Sequence, residues 1–386
     1  MEGSNTAVTA TKIAPPRPPS RHLHRTRLIE RLEESVNAGG TVVLASAPAG
    51  SGKSTLVNTW LDRRSVKVGW LQIDEGDDDP SRFWVGLAAA VHGGVPAVAE
   101  VITTTISDGT DAVVAAMVNA IAESGAEIAL VLDDYHLVSN PEVHRGVEQL
   151  ITRRPANLIV VVSTRVDPPF RLGRLRVRGE LSEIRAADLR FERDESAWLL
   201  DAETLGLDRD AVEQLTTRTE GWAAGLVLAA LSLHRVADVA EFVDSFRGDD
   251  HLVADYLSDE FLDAIEPNER QRLLEVAVLD QLSGSLIDDV CGTSDGAAWL
   301  TSLAAGNQLV ISLDRSGTWF RFHHLPRDLL RIELERTSPK RAAVLHANAD
   351  GGTPQRVTWW LRSTISSRPA ARSRPPTSWP RTPPSC

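Results

Sequence analysis

The stretch "ASAPAGSGKSTL" (residues 45–56) decides how the rest of the sequence is interpreted. It has the G-x-x-x-x-G-K-[ST] spacing of a phosphate-binding loop, except that Ala47 stands where the first glycine is usual. Gly50 and Gly52 can adopt the backbone angles that turn loop N–H groups towards phosphate oxygens. The first position needs only a small side chain, so Ala47 is a mild departure. The sequence therefore predicts a nucleoside triphosphate site.

The side chains of the loop predict how the phosphates and a magnesium ion are held. Lys53 is expected to reach the β- and γ-phosphates, and the Ser54 hydroxyl to be a ligand of Mg²⁺. A helix that begins near Lys53 directs the positive end of its dipole at the phosphates. A Gly-rich turn with a chance Lys-Ser pair is the alternative, which a preceding strand and a following helix disfavour. The predicted nucleotide-binding residues of the loop are Gly50, Ser51, Gly52, Lys53, Ser54 and Thr55.

Two further segments place polar groups after apolar runs. In "EIALVLDDYH" (127–136), Asp133 is predicted to hold the Mg²⁺ shell and Asp134 to orient or activate the attacking water. In "LIVVVSTR" (158–165), Arg165 is predicted to sense the γ-phosphate. A solvated turn and a surface arginine are the alternatives.

The apolar runs of the first half alternate with helical patterns, which predicts a parallel sheet covered on both faces. Strands are expected at 41–46, 66–73, 127–136 and 158–165, with a shorter one within 179–191. Ligands of such sheets bind at the carboxyl ends of the strands, where the loop, the carboxylates and the arginine all lie.

The second half of the sequence has the i, i+3, i+4 spacing of helices and ends in a short strand pair around Asp314–Gly317. We therefore predict an α/β P-loop NTPase domain with a parallel sheet, followed by an all-α helical domain and a winged-helix domain. In "RFHHL" (321–325), adjacent histidines on a strand would point to opposite faces, which disfavours a two-histidine metal site. The predicted divisions are a disordered lead (1–20), the P-loop domain (21–190), the helical domain (191–250), the winged helix (251–336) and a disordered basic tail (337–386).

Composition narrows the function classes. The net charge is −12, so DNA binding by the body of the chain is not expected. Two cysteines make no disulfide framework or zinc cluster, and the apolar runs are too short to cross a membrane, so we expect a cytoplasmic protein. From Ser338 onward there are eight basic residues and one acidic residue, many of them among prolines, which predicts disorder. Translation past a frameshift is an alternative origin for this tail.

Together these motifs resemble the MalT-type regulators of the LuxR family, which are ATPases of the STAND class. The segments that carry the resemblance include "SAPAGSGKSTL", "LVLDDYHLV", "VVVSTRVDPP", "LTTRTEGWAAGLVLAAL" and "FRFHHLPRDLL", within residues 20–336. The resemblance implies a clamp around ADP at rest, which ATP and an inducer or regulatory protein open to drive self-association, and a slow Mg²⁺-dependent ATPase that resets it. It also implies that His323 contacts the β-phosphate, with His324 as the fallback, and that Arg25 and Arg27 pack near the base and ribose.

The sequence departs from this family after "LLRIELER", where a helical-repeat sensor and a LuxR-type helix-turn-helix would follow. Direct DNA binding and inducer sensing are therefore not expected of this polypeptide. Two alternatives remain open: a small-molecule phosphotransferase that uses the same loop, and a non-catalytic scaffold that keeps its nucleotide or has lost it.

Overall fold

A parallel sheet lies at the centre of the first half of the chain. The computed structural model describes residues 8–17, 23–236, 238–263, 265–306 and 309–352. The five strands of the sheet are β1 (Val42–Ser46), β2 (Lys67–Gln72), β3 (Ile128–Asp133), β4 (Leu158–Thr164) and β5 (Leu181–Arg185). They pair in the order β2-β3-β4-β1-β5, and every pairing is parallel.

The sheet is buried on both faces because successive strand residues point to opposite sides and are apolar on each. In β4, for example, Val160 and Val162 enter one hydrophobic core, whereas Ile159 and Val161 enter the other. In the described part of this half, eight α-helices cover the two faces. They are α1 (Thr26–Asn37), α2 (Lys53–Leu61), α3 (Pro80–His92), α4 (Pro96–Thr105), α5 (Thr110–Ser124), α6 (Pro141–Arg153), α7 (Leu172–Val177) and α8 (Ala186–Leu189).

Local signals set several boundaries as the sequence predicts. The Asp79 carboxylate caps α3 by accepting from the Arg82 N–H at 2.9 Å, and Pro80 takes the first helical position. In α1, the predicted apolar positions Leu28, Ile29, Leu32 and Val36 are all buried.

The second half of the chain has its own hydrophobic core, built from helices. First come α9 (Arg193–Leu199), α10 (Ala202–Leu205), α11 (Arg209–Thr219), α12 (Ala223–Leu233) and α13 (Val239–Ser245). The remainder consists of α14 (His251–Leu257), α15 (Pro267–Val276), α16 (Gly284–Cys291), α17 (Gly296–Gly306), β6 (Val310–Ser312), β7 (Phe320–Phe322), α18 (His324–Thr337) and α19 (Pro339–Gly352). Strands β6 and β7 pair antiparallel and form the wing.

The prediction of a disordered tail over 337–386 is wrong for the residues that form α19. Ala342 and Leu345 are buried in the core of the second half, and Arg341 Nη2 lies 2.6 Å from Glu275 Oε2. The prediction was based on the basic, proline-rich composition of the whole region, which does not reveal a short apolar helix face within it. Residues 353–386 lie outside the described residues.

The prediction of a disordered lead over 1–20 is likewise wrong for residues 8–17. Lys12 Nζ lies 2.6 Å from Asp74 Oδ2 and 2.7 Å from Oδ2 of the buried Asp77, so the segment supplies the cation that a buried carboxylate needs. The Gln72 N–H also donates to the Lys12 carbonyl at 2.8 Å, which attaches the lead to the edge strand β2. Residues 1–7 and 18–20 lie outside the described residues.

The predicted fold class is confirmed: an α/β P-loop fold with a parallel sheet, then helices, then a winged helix. Within the described ranges, none of the helices combines the length and the apolar character that a membrane crossing requires.

Candidate nucleotide site

The glycine-rich loop joins β1 to α2 at the carboxyl edge of the sheet. Gly50 and Gly52 have φ values of +65° and +85°, in the left-handed region that favours glycine. Ala47 is fully buried, and its N–H donates to the Thr164 carbonyl at 3.2 Å, continuing the pairing of β1 with β4. The backbone at Ala47 is not in the left-handed region, so alanine replaces glycine there without strain.

Lys53 lies inside the loop rather than in solvent. Its ammonium donates to the carbonyls of Ala47 at 2.8 Å and Pro48 at 3.0 Å. Burial lowers the pKa of Lys53 to about 8, although the carboxylates of Asp134 and Asp133 oppose that shift. The cation is thus held by weak neutral acceptors, which an anionic phosphate oxygen would outcompete.

Ser54 and Asp133 form the pair expected of a magnesium site. The Ser54 hydroxyl donates to Asp133 Oδ1 at 3.0 Å, and burial raises the pKa of this 1% exposed carboxylate. A buried carboxylate beside a hydroxyl, to which no cation of the described residues is bonded, fits Mg²⁺, which takes few protein ligands and completes its shell with water and phosphate. The described residues contain no group of three or more His, Cys, Asp or Glu side chains that could hold a metal ion by themselves.

Asp134 begins the turn after β3 with a φ of +57°, a left-handed conformation that is uncommon outside glycine. Gln72 Nε2 donates to its Oδ2 at 2.5 Å, and His136 Nδ1 lies 3.8 Å from its Oδ1. Burial and the charges of Arg165 and Lys53 lower the pKa of His136 to about 4 against the pull of Asp134, so the imidazole is neutral at physiological pH. The turn therefore presents a carboxylate and a neutral imidazole side by side.

Arg165 follows β4, which separates β1 from β3, so it lies between the loop and the two carboxylates. Its guanidinium is held by Glu260: Nη2 lies 2.8 Å from Oε2, and Nη1 donates to the Glu260 carbonyl at 3.4 Å. Its predicted position at the sheet edge is therefore right, but its donors face the second half of the chain.

Residues of the second half also touch the loop directly. Trp222 Nε1 donates to the Ala49 carbonyl at 2.9 Å, and the Ala224 N–H donates to the Gly50 carbonyl at 3.0 Å. A Cβ atom at Gly50 would lie 2.5 Å from Ala224 Cβ and 2.6 Å from the Tyr256 hydroxyl, so close approach requires glycine here as well. The side chain of Ala49 belongs to the hydrophobic core of the second half.

His323 lies at the N-cap of α18 and not on β7, because the strand ends at Phe322. The expectation that the two histidines point to opposite faces is therefore wrong. His323 Nδ1 lies 2.5 Å from Glu220 Oε2, and His324 Nε2 lies 3.4 Å from Glu220 Oε1. Glu220 also pairs with Arg321 at 2.5 Å. Burial would raise the pKa of Glu220, but His323 and Arg321 outweigh it and lower the pKa to about 2.

Two cavities meet at the loop, since Ser51 lines both. The smaller lies between Pro48 and His323. The larger, of about 390 Å³, extends from Gly52 and Thr55 to α12, and its walls are mostly apolar. We call the larger cavity the base end of the site. The phosphate end is the smaller cavity together with the adjoining sheet edge around Lys53, Asp134 and Arg165.

Of the two arginines predicted to contact the base and ribose, Arg25 lines the base end and Arg27 does not. Arg25 lines the base end, but its guanidinium donates to the carbonyls of Leu189 at 2.6 Å and Arg190 at 2.8 Å and pairs with Glu195. Arg27 lies on the exposed side of α1, where its Nε is 3.4 Å from Glu192 Oε1, and it lines neither cavity.

Sequence reasoning missed five residues of this site. The signals for them were weak: His136 follows the carboxylates by two residues, and the "TEGW" stretch has a glycine at a helix end. Their contacts join residues far apart in the sequence. The missed residues are His136, Glu220, Trp222, Tyr256 and Glu260.

Comparisons with known proteins agree with this architecture. The family described as the MalT winged helix domain matches residues 258–342. The serine/threonine-protein kinase PknK of Mycobacterium tuberculosis is 35% identical over 350 residues, covering 88% of this chain and 31% of PknK. The transcriptional regulator MalT of Vibrio parahaemolyticus is 30% identical, covering 84% of this chain and 36% of MalT.

A solved Walker-type ATPase of Pyrococcus abyssi has the same fold. It superposes with a TM-score of 0.57 at 15% identity, covering 82% of this chain and 98% of that one. These features together define a P-loop ATPase fold joined to a winged helix. Within that class, the chain is MalT-like. It spans about a third of the length of the curated relatives it matches.

Proposed function

We propose that the chain binds ADP and ATP across the loop and uses the bound nucleotide as a conformational switch. The observation that carries this proposal is the double contact at the loop: Ala49 and Gly50 are hydrogen-bonded to Trp222 and Ala224 of the second half. Phosphate binding at such a loop changes its contacts, so nucleotide state and domain arrangement are coupled.

The phosphates would lie between Lys53 and His323, with the base in the apolar cavity beside Thr55. In this arrangement Ser54 and Asp133 would hold Mg²⁺, which would supply positive charge beside the phosphates. The nucleotide site is thereby closed by residues from both halves of the chain.

Slow hydrolysis would reset the switch. Asp134 accepts a proton from the water that attacks the γ-phosphorus, the bond from phosphorus to the bridging oxygen breaks, and ADP and phosphate result. The neutral imidazole of His136 is placed to orient the same water. Arg165 stabilises the charge of the transferring phosphoryl group.

The nature of the relatives supports a switch rather than an effector. One is named as a protein kinase and another as a transcriptional regulator, yet each matches over 80% or more of this chain. A segment common to two such proteins is better suited to regulation than to either output. We propose that ATP promotes self-association in the cytoplasm and that a regulatory protein or small-molecule inducer biases the change.

The direct test is to identify and titrate the nucleotide. Purified protein is denatured and any released nucleotide is separated by chromatography, then ADP and ATP binding to nucleotide-free protein is measured by calorimetry. Lys53→Ala is expected to lose binding of both nucleotides, by more than about 100-fold, because the main phosphate cation is removed. Lys67→Ala, at the exposed start of β2, is the matched control. Unchanged affinity in Lys53→Ala would reject the site.

A further inference from the structure

The contact between Arg165 and Glu260 joins the two halves of the chain at the phosphate end. Arg165 reaches the Glu260 side chain at 2.8 Å and its main-chain carbonyl at 3.4 Å. Both side chains are about one-third exposed. Two guanidinium nitrogens of Arg165, between the loop and Asp134, thus donate to Glu260: Nη2 to its carboxylate and Nη1 to its main-chain carbonyl.

Glu260 is held in place by its backbone. It lies in a single π-helical turn, Ser258–Leu262, directly after α14. Such turns are rare, and they often occur at functional sites. Phe261 and Leu262, the two residues of the turn that follow Glu260, are buried in the core of the second half, so the carboxylate is fixed to that half.

The charges around this contact are unequal. Lys53 and Arg165 face three carboxylates, those of Asp133, Asp134 and Glu260. Tyr256 and His136 complete the surroundings, and neither adds a charge at neutral pH. A third phosphate brings further negative charge towards Arg165, and two anions then compete for one guanidinium.

We propose that Glu260 is a specificity-determining residue that favours nucleoside diphosphate over triphosphate. Its carboxylate holds Arg165 while the site contains a diphosphate, and a γ-phosphate must displace it. This inference rests on the proposed binding of ADP and ATP at the loop. It assigns the discrimination between them to one residue of the second half.

The competition predicts that loss of the Glu260 charge changes the affinity for ATP but not for ADP. A purely structural ion pair would not separate the two affinities. Removing the charge of Glu260 frees Arg165 for the γ-phosphate but leaves the contacts of a diphosphate unchanged. Glu260→Gln is therefore expected to bind a non-hydrolysable ATP analogue about tenfold more tightly, with ADP affinity within about twofold of the parent. Asp259→Asn removes a charge from the exposed neighbouring residue and should change neither affinity.

Calorimetry with Mg²⁺ present measures both affinities in the parent, in Glu260→Gln and in the Arg165→Ala background. With Arg165→Ala, the Glu260→Gln substitution should no longer change the affinity for the ATP analogue. Glu260→Asp keeps the charge on a shorter side chain, so an intermediate preference is expected even if the glutamine variant folds poorly. Equal tightening for both nucleotides, or none, would overturn the inference while leaving the nucleotide site intact. Failure of the parent to bind either nucleotide would overturn both proposals.

Discussion

The two ends of the candidate site are built in opposite ways. At the phosphate end, the polar side chains already have protein partners: Lys53 has loop carbonyls, Arg165 has Glu260, and His323 has Glu220. At the base end, the cavity walls are mostly apolar side chains, and α12 contributes several of them. The phosphate end must exchange protein partners for phosphate oxygens when a nucleotide binds. The base end only has to accommodate the base in its cavity.

This difference assigns a separate role to each end. Burial of a base in a preformed apolar cavity adds affinity that is the same for ADP and ATP. Exchange of ionic partners depends on the number of phosphates, and it breaks contacts between the halves of the chain. We therefore expect the base end to contribute affinity that does not distinguish ADP from ATP, and switching to be set at the phosphate end.

The largest effect is expected from Asp134→Ala at the phosphate end. Loss of the proton acceptor should lower ATP turnover by about 10²–10⁴-fold, with ATP affinity within about twofold. Phosphate release and calorimetry measure the two quantities, and Asp62→Ala, at the far end of α2, is the control. Equal turnover in variant and parent would remove Asp134 from the reaction.

Glu220→Gln tests how much the ionic contacts of Glu220 with His323 and Arg321 stabilise the folded chain. Ionised Glu220 stabilises the folded chain above pH 4.5, and this contribution is lost as the pH falls through its folded pKa of about 2. The variant should lose up to about 3 kcal/mol of unfolding free energy at pH 6, because the pKa shift is worth about 1.4 kcal/mol per unit. The gap from the parent should narrow as the pH falls from 4.5 to 3.

Urea unfolding followed by tryptophan fluorescence measures this gap. Glu203→Gln, on the exposed surface of α10, should show no such dependence on pH. A gap that stays constant with pH would mean that Glu220 acts through packing and not through its charge.

Val227→Trp tests the base end and should have the smallest effect. Val227 lies on α12 and lines the cavity while 40% exposed, so a larger ring can occupy the space without unfolding the helix. ADP and ATP affinities should both fall by about tenfold. Val344→Trp, on α19, is the control. A loss confined to ATP would contradict the division of roles between the two ends.

Regular patterns made the first half of the chain predictable. The buried strands and the loop are local signals: short continuous apolar runs in β1, β3 and β4, and the spacing from Gly50 to Ser54. Parallel pairing then places Asp133 and Arg165 at the same sheet edge without further information.

Contacts between distant residues could not be predicted. Glu260 and Arg165 are separated by 95 positions, and neither has a neighbouring pattern that points to the other. The positions of His323 and His324 depend on where β7 ends. That strand has only three residues, which is too short for a sequence pattern to indicate its end. In α19, two buried residues were hidden in a region whose overall composition is basic and rich in proline.

The burial of α19 fixes where a usable fragment of this protein can end. Ala342 and Leu345 fill the core of the second half, and Asn348 Nδ2 donates to the Val290 carbonyl of α16 at 3.0 Å. A polypeptide that stops at 336 would leave that core open and expose an apolar surface. Any experiment on the switch in isolation should therefore retain the chain through α19.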